Sequence, residues 1–168
     1  MYDLVIKNAL LIDAWNAWHS DLAVEGEKIA AIGERLSGRK EIDATGKWLM
    51  PGAIDAHVHL SLPFSGFVSA DDYETGSRAA AFGGVTTIID FTSQIGDEGL
   101  RPGFERKKQA AEGKALIDWS VHACIGRLSK KVLDDLNWAV DTGLTSLKFF
   151  TAYARTSQML DDGAIFEL

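Results

Sequence analysis

One cysteine, Cys124, is all the chain carries, so no intrachain disulfide can staple the fold. A lone thiol fits a reducing compartment, and its neighbours Ala123 and Ile125 make it a packed strand residue rather than a nucleophile. Also missing is any apolar run near the ~20 residues that a bilayer crossing needs. Met1-Tyr2-Asp3 has neither the basic nor the apolar region of a signal peptide, so the expected compartment is the cytoplasm. Positive charge is scarce: 17 Lys and Arg stand against 24 Asp and Glu, a formal net charge of -7. That deficit argues against a nucleic-acid surface, because phosphate binding needs clustered cations. The densest basic cluster, Arg106-Lys107-Lys108, reads as a solvated helix face. What remains, 168 residues with 46% hydrophobic and 24% charged, is ordinary globular composition with enough length for a real core.

Residues 1–50 differ in pattern from residues 51–168. Leu4 to Ile12 and Asp21 to Gly33 are short apolar segments joined by polar turns, and Glu25-Gly26-Glu27-Lys28 is a hairpin signal. This part is expected to be a small β unit. From Ala53 the period changes. Ala53 to Val58 predicts a buried strand; Ser69-Ala70-Asp71-Asp72 opens a helix that Phe82-Gly83-Gly84 closes, and Val85 to Phe91 is a β-branched strand. A helix from about Gly103 to Glu112, a strand from about Ala115 to Cys124, a helix capped by Ser129 and ending at Gly143, and a strand from Thr145 to Phe150 complete the alternation. Val132, Leu136, Ala139 and Val140 carry the apolar stripe of that last helix.

Strands alternating with helices imply parallel pairing, as in a (β/α) barrel or a doubly wound sheet. No Gly-x-Gly-x-x-Gly turn or Walker loop follows a strand, which favours the barrel. A full barrel needs about 250 residues. The chain ends at Asp161-Asp162-Gly163-Ala164-Ile165-Phe166-Glu167-Leu168, an acidic helix start without a C-cap. The expectation is therefore the N-terminal piece of a longer protein, incomplete as it stands.

Three positions carry chemistry. His57 and His59 lie two apart at the end of the first barrel strand, where both imidazoles share a face and can reach one metal ion. Asp55 on the same face is equally readable as an orienting carboxylate or a turn residue. Lys148 lies within the apolar strand Ser146-Leu147-Lys148-Phe149-Phe150, where an ammonium must be paired, neutral, exposed or modified. A neutral amine can take up carbon dioxide and become a carbamate able to bridge two cations. Tyr153, just past that strand, offers a phenol to a developing oxyanion. His19 reads as a surface residue, His122 as a hydrogen-bonded strand histidine, and Asp90 as a loop cap or a contributor to the charge of the mouth.

Pro51-Gly52-Ala53-Ile54-Asp55-Ala56-His57-Val58-His59-Leu60, the stretch Ser69 to Phe91, and Ser146-Leu147-Lys148-Phe149-Phe150-Thr151-Ala152-Tyr153 resemble the hydantoinase and dihydropyrimidinase branch of the amidohydrolase superfamily. The resemblance covers essentially the whole chain. It implies the first half of a (β/α)8 barrel of TIM type, residues 51–168, preceded by part of a β-sandwich, residues 1–50. It implies two divalent metal ions, zinc as a rule, held by His57, His59 and a carboxylated Lys148. In that family a bridging hydroxide attacks the amide carbon of a cyclic ureide or imide, Tyr153 matches the tyrosine that stabilises the oxyanion, and Leu62 and Phe64 fall where the substrate pocket is lined. Ser61-Leu62-Pro63-Phe64 stands where allantoinases and dihydroorotases carry an Arg-containing motif, which favours hydantoin or dihydropyrimidine rings. Further metal-binding histidines and the aspartate base of the family belong to later strands, so the chain alone is expected to be inactive. The resemblance also implies a tetramer for the longer protein. The alternatives are an allantoinase- or dihydroorotase-like hydrolase and a non-catalytic dihydropyrimidinase-related assembly or binding protein; the presence of His57, His59 and Lys148 counts against the second.

Overall fold

Ala9 and Leu11 of β1 (Tyr2–Ile12) are buried with Ala44 and packed by Ile6, Trp18 and Leu22, and Val5 is buried on the same strand before the bulge between Ile6 and Ala9; β1 is the central strand of the first of two compact units, Met1–Pro51 and Gly52–Leu168. The computed structural model describes residues 1–64, 66–156 and 158–168. In the first unit β1 pairs antiparallel with β2 (Ala17–Glu25), which returns through a hairpin to β3 (Lys28–Gly33). β4 (Gly38–Asp43) and β5 (Trp48–Leu49) add in parallel to the other side of β1. The turn at Gly26-Glu27 is the expected hairpin, with Gly26 at φ 60°. His19 lies exposed on β2.

The second unit alternates. β6 (Ala53–Asp55) leads to a short hairpin of β7 (Pro63–Phe64) and β8 (Phe67–Val68), then α1 (Tyr73–Phe82), β9 (Val85–Phe91), α2 (Leu100–Ala111), β10 (Asp118–Ile125), α3 (Lys130–Thr142), β11 (Leu147–Phe149) and α4 (Asp162–Glu167). The four longer-range strands form one sheet in the order β11-β10-β9-β6, with every pair parallel. Sequential order with helical crossovers is the arrangement expected of consecutive β/α units. Ile88, Val121, Ala123 and Ile125 are buried under the helices, where each fully buried branched side chain contributes about 1.5–3 kcal/mol. Among the described residues no helix is long and apolar enough to cross a membrane.

Local chemistry explains where the helices begin and end. Asp72 accepts from the backbone of Glu74 and Thr75, and the Thr75 hydroxyl accepts from the Asp72 N–H, a capping box. Ser129 caps α3, and Gly143 ends it at φ 91°, a left-handed conformation that a side chain would strain. Gly76 in α1 allows Leu60 to lie against the helix, since a Cβ there would meet Leu60 Cδ2 at 2.5 Å. α2 begins earlier than the expected Gly103. Its N-cap, Gly99, has no side chain; Asp135 of α3 accepts from Leu100 N at 2.8 Å and Arg101 N at 3.3 Å instead.

Three expectations are corrected. The strand expected over 53–58 is three residues of ladder, and Ile54 is 65% exposed rather than buried, because β6 is the edge of its sheet. Val140 is exposed, one position off the face of α3 that buries Val132 and Ala139. Lys107 is buried, not solvated: with Leu100, Gly103 and Ala111 it forms the stripe of α2 that faces the sheet. Its ammonium lies 2.6 Å from Asp90 Oδ2 and 2.6 Å from the Leu60 carbonyl. Arg106 beside it pairs with Glu98 and donates to the Ser93 carbonyl.

Candidate metal centre

Consecutive strand residues point to opposite faces, so Asp90 and Phe91 at the end of β9 divide the work. Asp90, fully buried, turns toward the helices and accepts from Lys107, from Tyr73 Oη at 2.9 Å and from Leu60 N at 3.4 Å. Burial, and then the Asp90 charge, push the Tyr73 phenol far above its ordinary pKa, so it stays a donor. This network fixes both polar backbone groups of Leu60, the residue after His59.

Phe91 turns the other way and becomes a hub. His57 stacks on it at a centroid distance of 4.5 Å, His59 at 5.1 Å and His122 at 4.9 Å, while Lys148 Nζ stands 5.4 Å from the ring centroid. The histidine pair, just past β6, and Lys148 of β11 thus both approach the Phe91 ring. The His57 and His59 rings are edge to face with centroids 5.1 Å apart. Two imidazoles sharing one tetrahedral zinc through nitrogen have centroids about 5 Å apart, so the pair fits a common ion. Lys148 is half-buried, with Nζ also 5.2 Å from the Phe150 ring centroid, and among the described residues no carboxylate forms a salt bridge with it. The amine lies against the Phe91 and Phe150 rings. Among the described residues no three His, Cys, Asp or Glu side chains gather as a metal site.

Asp55 accepts from the His57 backbone N–H at 3.1 Å, the turn role of its two readings. Cys124 sits opposite Lys148 in the β10–β11 register; burial pushes its thiol pKa up, against the opposing pull of Lys148. Tyr153 follows β11 at φ 67°, with its ring edge-on to Phe150 at 5.4 Å. Leu62 exchanges hydrogen bonds with Ser69, through Leu62 N to Ser69 Oγ and Ser69 N to Leu62 O, and Phe64 is 72% exposed on the β7–β8 hairpin. Neither has a hydrogen bond or ring contact to the histidine pair among the described residues. The Lys107–Asp90–Tyr73 network was hidden in the sequence by the apparent basic cluster; the signal was an aspartate at the end of an apolar strand with no partner yet named.

His59 titrates below the ordinary imidazole value of 6.5, through partial desolvation first and the neighbouring His57 second. The unfolded chain therefore binds this proton more tightly. Stability is intact above about pH 6.5 and falls as pH drops through that value toward the lower folded pKa. Thermal melts of the metal-free chain between about pH 7.5 and 5.5 are expected to show a Tm that declines with acidity, and a flatter profile for His59→Asn.

No family model matches the chain. It is 43% identical over 165 residues to the D-hydantoinase of Geobacillus stearothermophilus, covering 96% of this chain and 35% of that protein. It is 36% identical over 169 residues to the dihydropyrimidinase of Dictyostelium discoideum, covering 98% of this chain and 33% of that protein. The crystal structure of D-hydantoinase from Bacillus sp. AR9 superposes with a TM-score of 0.93 at 40% identity, over 98% of this chain and 36% of that one. Fold and sequence together define the N-terminal part of an amidohydrolase-superfamily protein. Within that superfamily the chain belongs to the hydantoinase and dihydropyrimidinase family. It spans about a third of the length of the relatives it matches.

Proposed function

We propose that this chain forms the first β/α units and part of the small β domain of a barrel enzyme that opens cyclic amides of the hydantoin or dihydropyrimidine kind. The single observation that carries the reading is the convergence of His57, His59 and Lys148 on Phe91 from opposite edges of one parallel sheet. His57 and His59 would hold one divalent ion, zinc by ligand type, and Lys148, carboxylated by carbon dioxide, would bridge to a second. When bound, such ions supply an acidified water and polarise the amide carbonyl.

The chain's own residues do the rest. Phe91 backs the two imidazoles and keeps the floor apolar, which strengthens the pull of any charge above it. Tyr153 donates its phenolic proton in a hydrogen bond to the oxygen on which negative charge develops. Leu62 and Phe64, on and beside the exposed hairpin, line the ring-binding side. The product of ring opening is an N-carbamoyl amino acid from a hydantoin, or its β-homologue from a dihydropyrimidine. The longer protein would assemble as a tetramer and work in the cytoplasm.

The test is made on a protein in which this chain is continued by the remaining barrel strands. Two equivalents of bound metal and ring opening of hydantoin or dihydrouracil are expected, with both lost in His57→Ala/His59→Ala. The 168-residue chain alone should show no turnover. Metal-free protein with full activity would sink the reading, and a folded, metal-free, inactive protein would favour a binding relative.

A further inference from the structure

In the second sheet Lys148 lies on the outer strand β11, while His57 and His59 follow the other outer strand, β6; β9 and β10 lie between, and no backbone ladder joins the two outer strands. Both are short, three residues each, so few backbone hydrogen bonds fix either one. Beyond Asp55 the pairing of β6 with β9 lapses, and among the described residues only Val58 N to Ile89 O, at 3.2 Å, resumes it. Ala56, immediately before His57, falls in that gap.

His122 fills it. It stands on β10 opposite Phe91, and its ring lies against the Phe91 ring at 4.9 Å and 35°. Nε2 is 3.0 Å from the Ala56 carbonyl oxygen and Nδ1 is 2.5 Å from Ser146 Oγ. A carbonyl only accepts, so Nε2 carries a proton; a neutral ring then leaves Nδ1 to accept from the Ser146 hydroxyl. Ser146 lies two residues before Lys148, immediately ahead of β11. One side chain therefore ties the backbone leading into His57 to the residue leading into Lys148.

We propose that His122 is a positioning residue that holds the His57/His59 pair and Lys148 at a fixed separation across the sheet, acting through Ala56 and Ser146 and not as a ligand. The inference rests on the reading of those three residues as metal ligands. Its geometry is independent of that reading: a strand histidine with both nitrogens engaged, on partners 66 and 24 residues away in sequence.

Zinc binding to the 168-residue chain by calorimetry tests it, with far-UV circular dichroism and melts reporting the fold. His122→Phe keeps the aromatic volume and removes both hydrogen bonds; a fall in zinc affinity of about tenfold is expected. Ser146→Ala is the milder variant, removing one tie, with a loss of about threefold expected. Because the effect runs through the separation of the two ligand groups, His122→Phe should add almost nothing in a Lys148→Ala background, whereas a general loosening of the fold would add fully. Proton–nitrogen spectra of the metal-free chain should show His122 as the Nε2–H form. Unchanged affinity in folded His122→Phe, a fully additive double variant, or an Nδ1–H ring would each overturn the proposal. If His57→Ala, His59→Ala and Lys148→Ala all leave zinc affinity unchanged, the metal reading itself fails and the proposal with it, a pattern distinct from failure at His122 alone.

Discussion

Lys107→Met is expected to destabilise the second unit by about 3–5 kcal/mol, the usual result of removing one partner of a buried ion pair. Asp90 is fully buried and Lys107 nearly so, and their charged atoms are 2.6 Å apart. Methionine matches the length of the lysine stem but leaves an unneutralised carboxylate and a Leu60 carbonyl without its donor. In a domain of this size such a loss lowers Tm by about 10 °C. The double variant Asp90→Asn/Lys107→Met removes the charge while keeping an acceptor for Tyr73, and should recover part of the loss. Urea melts of the three proteins decide it. A single variant within about 1 kcal/mol of the parent would mean that water reaches Asp90 after all.

Tyr153→Phe is expected to lower kcat for ring opening by about 10²- to 10³-fold in the longer protein, with little change in KM, as for loss of one oxyanion donor. The residue occupies the left-handed region at φ 67°, a conformation costing a non-glycine residue on the order of 1 kcal/mol or more. Its carbonyl accepts from Thr156 N at 3.1 Å, and its ring packs on Phe150, so the surrounding loop holds that backbone in place. Phenylalanine preserves the packing and the backbone, which isolates the hydroxyl. A steady-state comparison with unchanged kcat would remove Tyr153 from the chemistry.

Much of the second unit was legible because its signals are local. Asp72 and Ser129 announce helix starts, Gly143 an end, and the β-branched run of β9 a strand, each through the conformation its own residues prefer. The pairing of His57 with His59 was legible for the same reason, since strand alternation alone puts them on one side. What stayed hidden depends on partners distant in sequence. Lys107 sits among charged neighbours, and only the phase of α2 against Asp90 reveals that it turns inward. β6 reads as a buried strand by composition, yet burial is a property of its neighbours, and it has one on a single side. His122 was readable as a hydrogen-bonded strand residue; that its partners, Ala56 and Ser146, stand beside His57 and Lys148 follows from the packing of distant strands and not from any local pattern.

The carboxylate of Asp135 that sits on the start of α2 gives the two helices an order of assembly. Gly99 brings no oxygen of its own, so the first turn of α2 is left with bare amides until α3 has docked beside it. The earlier helix in the chain is thus completed by the later one. In a chain emerging from the ribosome those amides face water until some 35 further residues have followed Leu100 out and Asp135 can reach them.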